Sequence, residues 1–462
     1  MSYPSHLASH LLKKYNVPGP RYTSYPTVPY WETSPTAEQW IESISHALTD
    51  SESAGIGAAL YVHIPFCESL CTYCGCNTRI TRNRAVSSPY VEVVIKEWEL
   101  YIQKLGRLGK PIQLTELHLG GGTPTFATPM ELERLMQGIL KHCQFTPDAE
   151  FSVEADPRVT NADHLQTLAK LGFKRLSLGI QDFDPKVQET VHRVQSEEQV
   201  HQVTETAREM GYTSINYDLI YGLPFQTEAS IRQTIETVRK LKPDRIAFYA
   251  YAHVPWIKPG QRRFTEADLP SGDQKRGLYE LGRTMLEEAG YREVGMDHFA
   301  LETDSLWKSF KEQTLHRNFM GYTSRRVAPL IGLGVSAIGD SWSAFAQNEK
   351  LLETYQARVE KGEIPLLRGH LLTAEDQVLR QHILNLMTRF ETDWSTPELY
   401  TSYLDSVSEK LREFVDDGLM VVGPRSCKVN EEGRAFLRNI CMAFDSRLAK
   451  QAPSTQLFSK TI

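Results

Sequence analysis

The sequence predicts an α/β protein: a partial (β/α)6 barrel, preceded by an N-terminal arm and followed by a mostly helical, winged-helix-like C-terminal domain. Six short β-rich runs alternate with helical patterns between residues 59 and 251, which indicates a parallel sheet covered by helices. The chain of 462 residues leaves room for further domains on both sides of this region. A doubly wound sheet shows the same alternation and stays open as an alternative. In both folds ligands bind at the carboxyl ends of the strands.

The individual elements follow from residue spacing and composition. Strands are predicted where β-branched and aromatic residues cluster, at Ala59–Ile64, Thr115–Leu119, Glu150–Glu154, Arg175–Ile180, Ser214–Ile220 and Arg245–Tyr251. Helices are predicted where apolar residues recur at three- and four-residue spacing, at Tyr90–Leu105, Met130–His142, Ala162–Leu171, Ser196–Met210 and Glu228–Leu241. Beyond residue 260 the alternation ends, and we predict one amphipathic helix over 273–292 and irregular chain to about residue 345.

These patterns predict four segments. Residues 1–55 form an irregular arm, because the prolines of Pro18–Pro26 are incompatible with regular structure. The barrel takes residues 56–260, and residues 261–365 extend it and its ligand site. Residues 366–462 form the C-terminal domain, with helices at Ala374–Arg389 and near Pro397–Asp417, a hairpin over 418–429 and a final helix. That order of helices and hairpin is typical of a winged-helix module.

Charge and cysteine content limit the functional classes. The net charge is −6, from 51 basic and 57 acidic residues, which argues against broad nucleic-acid binding. No apolar run approaches the roughly 18 residues of a membrane span, and the N-terminus lacks the pattern of a signal peptide, so we expect a cytoplasmic protein. Four of the seven cysteines lie within ten residues, which indicates a metal or redox site in a reducing compartment rather than a disulfide framework.

The central motif is a group of cysteines directly after the first predicted strand. Cys67, Cys71 and Cys74 follow the spacing Cys-x3-Cys-x2-Cys on one short loop. A [4Fe–4S] cluster is usually held by four cysteines, so three ligands leave one iron open to a small chelating molecule. Zinc is the alternative, with Cys76 as fourth ligand, although four ligands within ten residues would be crowded. The spacing favours the iron–sulfur cluster.

Further polar and glycine-rich features follow the other predicted strands. A glycine turn, Gly120-Gly-Gly-Thr123, comes directly after the second strand and allows close approach of the backbone to a polar ligand. Glu154 ends the third strand, Gln181 follows the fourth and Asp218 lies in the fifth. Because the carboxyl ends of parallel strands meet at one edge, these residues and the cysteine loop indicate a single site.

The cysteine spacing and the glycine turn together resemble the radical SAM superfamily, in which the open iron binds S-adenosylmethionine (SAM) and the cluster reduces it to a 5′-deoxyadenosyl radical. Further blocks, Pro18–Thr27, Tyr61–Cys67, Cys74–Asn77, Asp218–Pro224, Arg317–Thr323 and Arg438–Met442, resemble the family of oxygen-independent coproporphyrinogen III oxidases, or coproporphyrinogen dehydrogenases. The resemblance implies a radical SAM oxidoreductase of haem biosynthesis. Its reaction is the anaerobic oxidative decarboxylation of two propionates of coproporphyrinogen III to vinyl groups, giving protoporphyrinogen IX.

The resemblance also implies residue roles. Cys67, Cys71 and Cys74 would be the cluster ligands, with Cys76 as a fourth, non-ligating cysteine, and no side chain would be catalytic because the cofactor radical does the chemistry. Two SAM molecules are implied. The residues of the first are Tyr61, Gly121, Glu154 and Ile338, and those of the second are Tyr73, Gly122, Thr123, Gln181, Arg193, Asp218 and Ala252.

The substrate carries four carboxylates, so it requires basic anchors. The candidates for substrate contact are Arg21, Arg317, Phe319 and Met320, with Arg79 and Arg326 as weaker arginine candidates. Met320 departs from the family pattern, in which some members have glutamine at this point, and a thioether cannot replace the hydrogen bonds of an amide. The expected partners are coproporphyrinogen III and a reducing electron donor such as a flavodoxin or a ferredoxin, with no nucleic acid and no membrane, and the chain is expected to be a monomer.

Two other functions remain alternatives. A radical SAM haem chaperone shares the barrel, but it typically lacks the arm block Pro18–Ser24 and the continuation Gly75–Asn77, and both are present in this chain. A nucleic-acid-modifying radical enzyme would show a basic stripe, whereas the segment 409–445 mixes acidic and basic residues. Both observations favour the decarboxylase.

Overall fold

The N-terminal segment is more regular than the sequence predicts. The computed structural model describes residues 9–451 and 457–461. The prediction that the N-terminus is not a signal peptide concerns residues 1–8, which lie outside the described residues. Two helices occur before the barrel, α1 (Ser9–Tyr15) and α2 (Ala37–Ser53), so the expectation of an irregular arm over 1–55 is wrong in part. α2 begins at a capping box on Thr36 and buries apolar residues at four-residue spacing, Trp40, Ile44 and Leu48. The stretch Pro18–Pro26 forms no helix and no strand, as predicted.

The centre of the molecule is a run of parallel strands. The strands of this region are β1 (Ala58–Ile64), β2 (Phe66–Cys67), β3 (Arg79–Ile80), β4 (Ile112–Gly121), β5 (Cys143–Ala155), β6 (Phe173–Gln181), β7 (Ser214–Tyr221) and β8 (Arg245–Ala250). The helices are α3 (Ser87–Lys104), α4 (Pro129–Leu140), α5 (Ala162–Lys170), α6 (Pro185–Thr190), α7 (Glu197–Glu209) and α8 (Glu228–Leu241). The short β2 and β3 pair with each other, and the remaining six strands pair in parallel in the order β1-β4-β5-β6-β7-β8. This order never reverses, which distinguishes a partial barrel from a doubly wound sheet and confirms the predicted fold.

The prediction of irregular chain to about residue 345 is wrong. Strands beyond residue 260 extend the sheet at both of its edges. Its elements are α9 (Gly272–Glu288), β9 (Tyr291–Gly295), β10 (His298–Leu301), α10 (Ser305–Lys311), β11 (His316–Asn318), β12 (Gly321–Thr323), β13 (Leu330–Leu333), β14 (Ile338–Asp340), β15 (Ala344–Asn348), α11 (Leu352–Glu360) and β16 (Leu366–Leu371). β13 pairs in parallel with β1 and is followed outward by β14, β15 and β16, while β10 and β9 continue the sheet beyond β8. The result is a 12-stranded sheet, so only the helix predicted over 273–292 is confirmed here.

The C-terminal region contains the predicted hairpin with one additional strand. Its elements are α12 (Ala374–Arg389), β17 (Glu391–Asp393), α13 (Val407–Lys410), α14 (Arg412–Asp416), β18 (Met420–Val422), β19 (Ser426–Val429), α15 (Leu437–Met442) and α16 (Ser446–Lys450). β17 pairs with β19, which makes a three-stranded sheet. The single helix predicted near Pro397–Asp417 is wrong: short 3-10 turns and the short α13 and α14 occupy this stretch.

The two largest apolar cores join the main parts of the molecule. The larger core lies between the sheet and its helices. The second core combines Tyr15, Tyr22 and Tyr25 of the N-terminal segment with C-terminal side chains such as Ile440 and Phe444. The domain boundaries stay a prediction, but the second core shows that the N-terminal segment packs on the C-terminal domain. Within residues 9–451 and 457–461, none of the helices has the length and apolar character needed to cross a bilayer.

Candidate active site

The cysteine loop lies directly after β1 and is fixed by backbone hydrogen bonds. At its base, the amide of Arg79 donates to the carbonyl oxygen of Pro65 at 2.7 Å. In its middle, the amide of Thr72 donates to the carbonyl oxygen of Val191 at 3.0 Å. The loop is therefore closed at its base and attached to the segment after α6, which places the three predicted ligands at the carboxyl edge of the sheet.

Two arginines border Cys71. Arg158 Nη2 lies 3.7 Å and Arg193 Nη1 lies 3.6 Å from Cys71 Sγ, and both guanidinium groups contact Asp156, at 2.7 and 3.2 Å. Burial acts to raise the pKa of Asp156, but Arg193 and Arg158 outweigh it and lower that pKa. Sequence reasoning missed Asp156 and Arg158, although both follow β5 directly, where ligand-binding residues are expected.

The thiols of Cys67 and Cys74 differ in their surroundings. Burial raises the pKa of Cys67 to about 11, while a hydrogen bond with Cys76 lowers the pKa of Cys74 to about 6. Among the residues that the structure describes, no three His, Cys, Asp or Glu side chains are grouped to hold a single metal ion, so the choice between zinc and an iron–sulfur cluster rests on the chemistry of the donor set. Three thiols on one loop, with two guanidinium groups beside it, are a donor set that fits an anionic iron–sulfur cluster.

The glycine turn after β4 packs tightly against the end of β1. Gly121 has φ +115°, and a Cβ there would lie 2.8 Å from the imidazole of His63; a Cβ on Gly122 would lie 2.7 Å from the backbone of Pro65. The amide of Gly121 donates to Glu154 at 3.0 Å and that of Gly122 to the carbonyl oxygen of Ile64 at 2.8 Å. These two N–H groups are thus occupied within the protein, and the glycines are required by close packing.

Tyr61, in the middle of β1, and Glu154, near the end of β5, both approach the glycine turn that ends β4. The ring of Tyr61 stacks on His118, and His118 Nε2 lies 3.2 Å from Glu154 Oε1. Burial acts to raise the pKa of Glu154, but the hydrogen bond with His118 and the amide of Gly121 lower it overall. The Glu154 side chain keeps 42% of its surface exposed, so an ionised carboxylate is available to bind an ammonium or hydroxyl group.

The residues implied for a second cofactor molecule form two groups. In the first, Arg193 Nη2 donates to the carbonyl oxygen of Gly179 at 2.5 Å, and a Cβ on Gly179 would lie 2.8 Å from Gln181 Nε2. Asp218 accepts hydrogen bonds from Asn216 and Ser177 at 2.9 and 3.1 Å. Burial, and then the charge of Glu154, raise the pKa of Asp218 to about 6.

The second group connects Tyr73 with Ala252. Gln261 Nε2 donates to the carbonyl oxygens of Tyr73 and Ala252 at 3.3 and 3.2 Å, and the ring of Tyr73 packs against a small apolar cluster that includes Phe264.

Thr123 Oγ1 lies 3.4 Å from Cys67 Sγ. Ile338 begins β14, which pairs with β13 beside β1.

The candidate substrate residues lie around the end of β8 and the edge near β1. Arg21 Nη2 donates to the carbonyl oxygen of Ala250 at 2.8 Å, and Arg317 Nη2 donates to the carbonyl oxygen of Arg21 at 3.4 Å. Phe319 makes edge contacts with Trp31 and Phe345, and Met320 packs in a small cluster with Tyr61. The two weaker candidates are engaged elsewhere: Arg79 pairs with Glu353, and Arg326 stacks on Trp342.

A buried carboxylate holds the turn that leads into Ile338. Glu97 on α3 accepts hydrogen bonds from the amide of Gly334 at 2.7 Å, from the hydroxyl of Tyr355 at 2.6 Å and from Asn348 Nδ2 at 2.6 Å. Gly334 has φ +94°, and a Cβ there would lie 2.5 Å from the carbonyl oxygen of His63. Glu97 thus ties this turn against the end of β1. Burial raises the pKa of Glu97 to about 7 despite the three hydrogen bonds.

Replacing Glu97 with glutamine is expected to change how stability depends on pH. Because the pKa of Glu97 in the native state, about 7, exceeds the ordinary value of 4.5, the native state binds an extra proton between these values. The stability that Glu97 contributes therefore falls as the pH rises to about 7 and is constant above. The free energy of unfolding of the native chain minus that of Glu97→Gln should fall by about 2–3 kcal/mol between pH 5 and pH 8 in urea titrations. Glu99→Gln, on the exposed side of α3, is the control, and a difference that is flat with pH would contradict the assignment.

Comparison with known proteins shows similarity over nearly the whole chain. The family profile of the radical SAM superfamily matches residues 61–238. The oxygen-independent coproporphyrinogen III oxidases of Pseudomonas aeruginosa and Escherichia coli are both 39% identical to this chain, with 98% of each sequence covered. The solved structure of coproporphyrinogen III oxidase from Escherichia coli, described as a radical SAM enzyme, matches with a TM-score of 0.85 and 39% identity over 92% of this chain and 97% of that chain. The similarity extends beyond the barrel to both ends of the molecule.

Proposed function

Because this chain belongs to the family of oxygen-independent coproporphyrinogen III oxidases within the radical SAM superfamily, we propose that it converts coproporphyrinogen III to protoporphyrinogen IX in haem biosynthesis by removing two propionate carboxylates. The observation that carries this proposal is the loop of Cys67, Cys71 and Cys74 at the carboxyl edge of the sheet, with Arg158 and Arg193 at Cys71. The haem-chaperone alternative is not favoured, since the relatives described above are named as oxidases.

The three cysteines hold a [4Fe–4S] cluster in this proposal, and the residues around them bind two SAM molecules. When bound, the cluster and SAM supply radical chemistry that breaks an unactivated C–H bond, which side-chain acid–base chemistry does not achieve. Glu154 binds the ammonium group of one cofactor molecule, because its carboxylate is ionised and partly exposed. Arg193 and Asp218 orient the second molecule. Two decarboxylations per substrate are the chemical reason for two cofactor molecules.

A group of buried and partly buried cations supports the binding of a polycarboxylate at the end of β8. Arg21 lies 3.6 Å from Asp297. Burial, and then the charges of Arg21 and Arg438, lower the pKa of Lys275 to about 8. Arg317 is only 7% exposed, and its Nε and Nη1 have no hydrogen-bond partner among the described residues. Buried guanidinium N–H groups without acceptors are costly. Propionate carboxylates of the substrate supply the missing acceptors.

The remaining partners follow from the chemistry. A reducing one-electron carrier such as a flavodoxin or a ferredoxin must supply electrons to the cluster. One chain contributes every proposed site residue, so a monomer suffices.

All seven cysteines are free, which is consistent with the reducing environment of the cytoplasm.

The proposal is tested with protein reconstituted anaerobically with iron and sulfide, given SAM, a reductant and coproporphyrinogen III. The expected result is a divinyl product, with two molecules of SAM cleaved and two of CO₂ released per product. Product analysis by mass spectrometry and quantification of 5′-deoxyadenosine measure both quantities. Stable haem binding without any turnover would instead support the chaperone.

A further inference from the structure

The outer side of the cysteine loop carries exposed apolar side chains. Leu70 on the loop is 44% exposed, and Trp256 and Ile257, in the segment after β8, are 47% and 55% exposed. Val194, in the segment after α6, is 66% exposed. Single exposed apolar residues are ordinary, whereas a group of them around one loop indicates an interaction surface. We call these four residues the loop patch.

Contacts between the three segments place the loop patch beside the predicted cluster ligands. Lys258 Nζ donates to the carbonyl oxygen of Cys76 at 3.3 Å, so the segment with Trp256 and Ile257 lies on the cysteine loop. The side chain of Leu70 lies 3.5 Å from the position that a Cβ on Gly260 would take. Val194 follows Arg193, whose guanidinium lies 3.6 Å from Cys71 Sγ. The loop patch therefore lies on the segments that contact the cysteine loop.

The border of the loop patch is basic. Lys258, Arg262 and Arg263 lie in the stretch 251–265, which contains no aspartate or glutamate and is followed by the exposed Glu266; both arginines are exposed. Burial, and then the charges of Arg368 and Lys258, lower the pKa of Lys350. The acidic residue of the loop, Glu68, is paired with Arg84. The whole chain has a net charge of −6, so this local excess of positive charge runs against the overall balance.

We propose that the loop patch is the docking site of a small acidic one-electron carrier protein. This inference rests on the proposed function, because a carrier is needed only if the cysteines hold a reducible cluster. An apolar centre with a basic border complements an acidic protein, and the charges speed and orient the encounter. In the docked complex the reduced carrier gives one electron to the oxidised cluster and is itself oxidised by one electron, and no bond forms or breaks.

The test uses an acidic flavodoxin as the probe and the reconstituted chain as its partner. Ile257→Asp combined with Arg263→Glu is expected to raise the dissociation constant at least tenfold, measured by anaerobic titration calorimetry. Binding by the native chain should weaken as salt increases. Stopped-flow absorbance should show slower cluster reduction by reduced flavodoxin in this variant, while reduction by dithionite stays within twofold of the native rate.

A matched control exists at the opposite edge of the sheet. Leu108 and Lys110 are exposed and precede β4 at its amino end, so Leu108→Asp combined with Lys110→Glu makes the same chemical change away from the patch and should bind flavodoxin like the native chain. Native affinity in the patch variant, or an equal loss of reduction with flavodoxin and dithionite, would overturn the inference. If the native chain does not cleave SAM with dithionite as the reductant, the proposed function is contradicted. The flavodoxin affinities of the native chain, the patch variant and the control variant test the docking site separately.

Discussion

Replacing Cys71 with serine is expected to yield protein that retains little iron and forms no detectable protoporphyrinogen IX. A serine hydroxyl is not ionised near neutral pH and cannot replace a thiolate as a cluster ligand. The change also leaves the guanidinium groups of Arg158 and Arg193 facing a neutral hydroxyl in place of a cluster-bound thiolate, since both lie within 3.7 Å of Cys71 Sγ in the native chain. Iron and sulfide content, the visible absorbance and the anaerobic turnover assay measure the loss.

Two other cysteines provide the controls for this experiment. Cys143 lies at the start of β5, at the amino edge of the sheet, where its Sγ is 3.5 Å from the carbonyl oxygen of Ile139. Cys143→Ser should therefore keep its iron and its activity. Cys76→Ser should keep its iron, because Cys76 is proposed not to be a ligand. If Cys71→Ser bound iron and cleaved SAM as the native chain does, the assignment of the cluster would be wrong.

The parallel strands and their helices could be predicted because each carries a complete local signal. β-branched residues define the strands, and helices such as α4 begin at a capping box, there formed by Thr128 and Glu131. The strands of the sheet extension carry no such signal. β13 and β14 have only four and three residues, too few for any periodicity, and Gly332 lowers the strand propensity further. β13 forms because the edge of β1 offers it hydrogen bonds, with Tyr61 opposite Gly332.

The candidate site shows the same division between local and long-range information. The spacing of the three cysteines is local and indicates the cluster without any structure. The contact between Arg193 and Cys71 joins residues 122 positions apart, and no pattern in the sequence connects them. Asp156 has only the weak local signal that it directly follows β5, because its partner Arg193 lies 37 positions further along the chain.

Replacing Arg317 with methionine is expected to raise the KM for coproporphyrinogen III by about 10- to 100-fold, because a hydrogen bond to a charged group contributes about 1.5–3 kcal/mol. Arg317 Nε and Nη1 are buried without acceptors among the described residues, so we infer that they are completed by a substrate carboxylate. Equilibrium binding of coproporphyrin III, followed by fluorescence, should weaken by a similar factor. SAM cleavage without substrate should be unchanged, since Arg317 is not placed among the cofactor residues.

Stability measurements separate this binding role from a structural one. In the absence of substrate Arg317 bears the cost of two buried nitrogen atoms, Nε and Nη1, that have no hydrogen-bond partner among the described residues, offset by its position 4.6 Å above the ring of Tyr322. Arg317→Met should therefore unfold at the same or a higher urea concentration than the native chain, even though it binds substrate less well. Arg317→Lys keeps the charge and should recover part of the affinity, whereas Arg79→Met, at an exposed ion pair with Glu353, should change the KM less than twofold. A variant at position 317 that loses stability while keeping native affinity for coproporphyrin III would show that this arginine serves the fold and not the substrate.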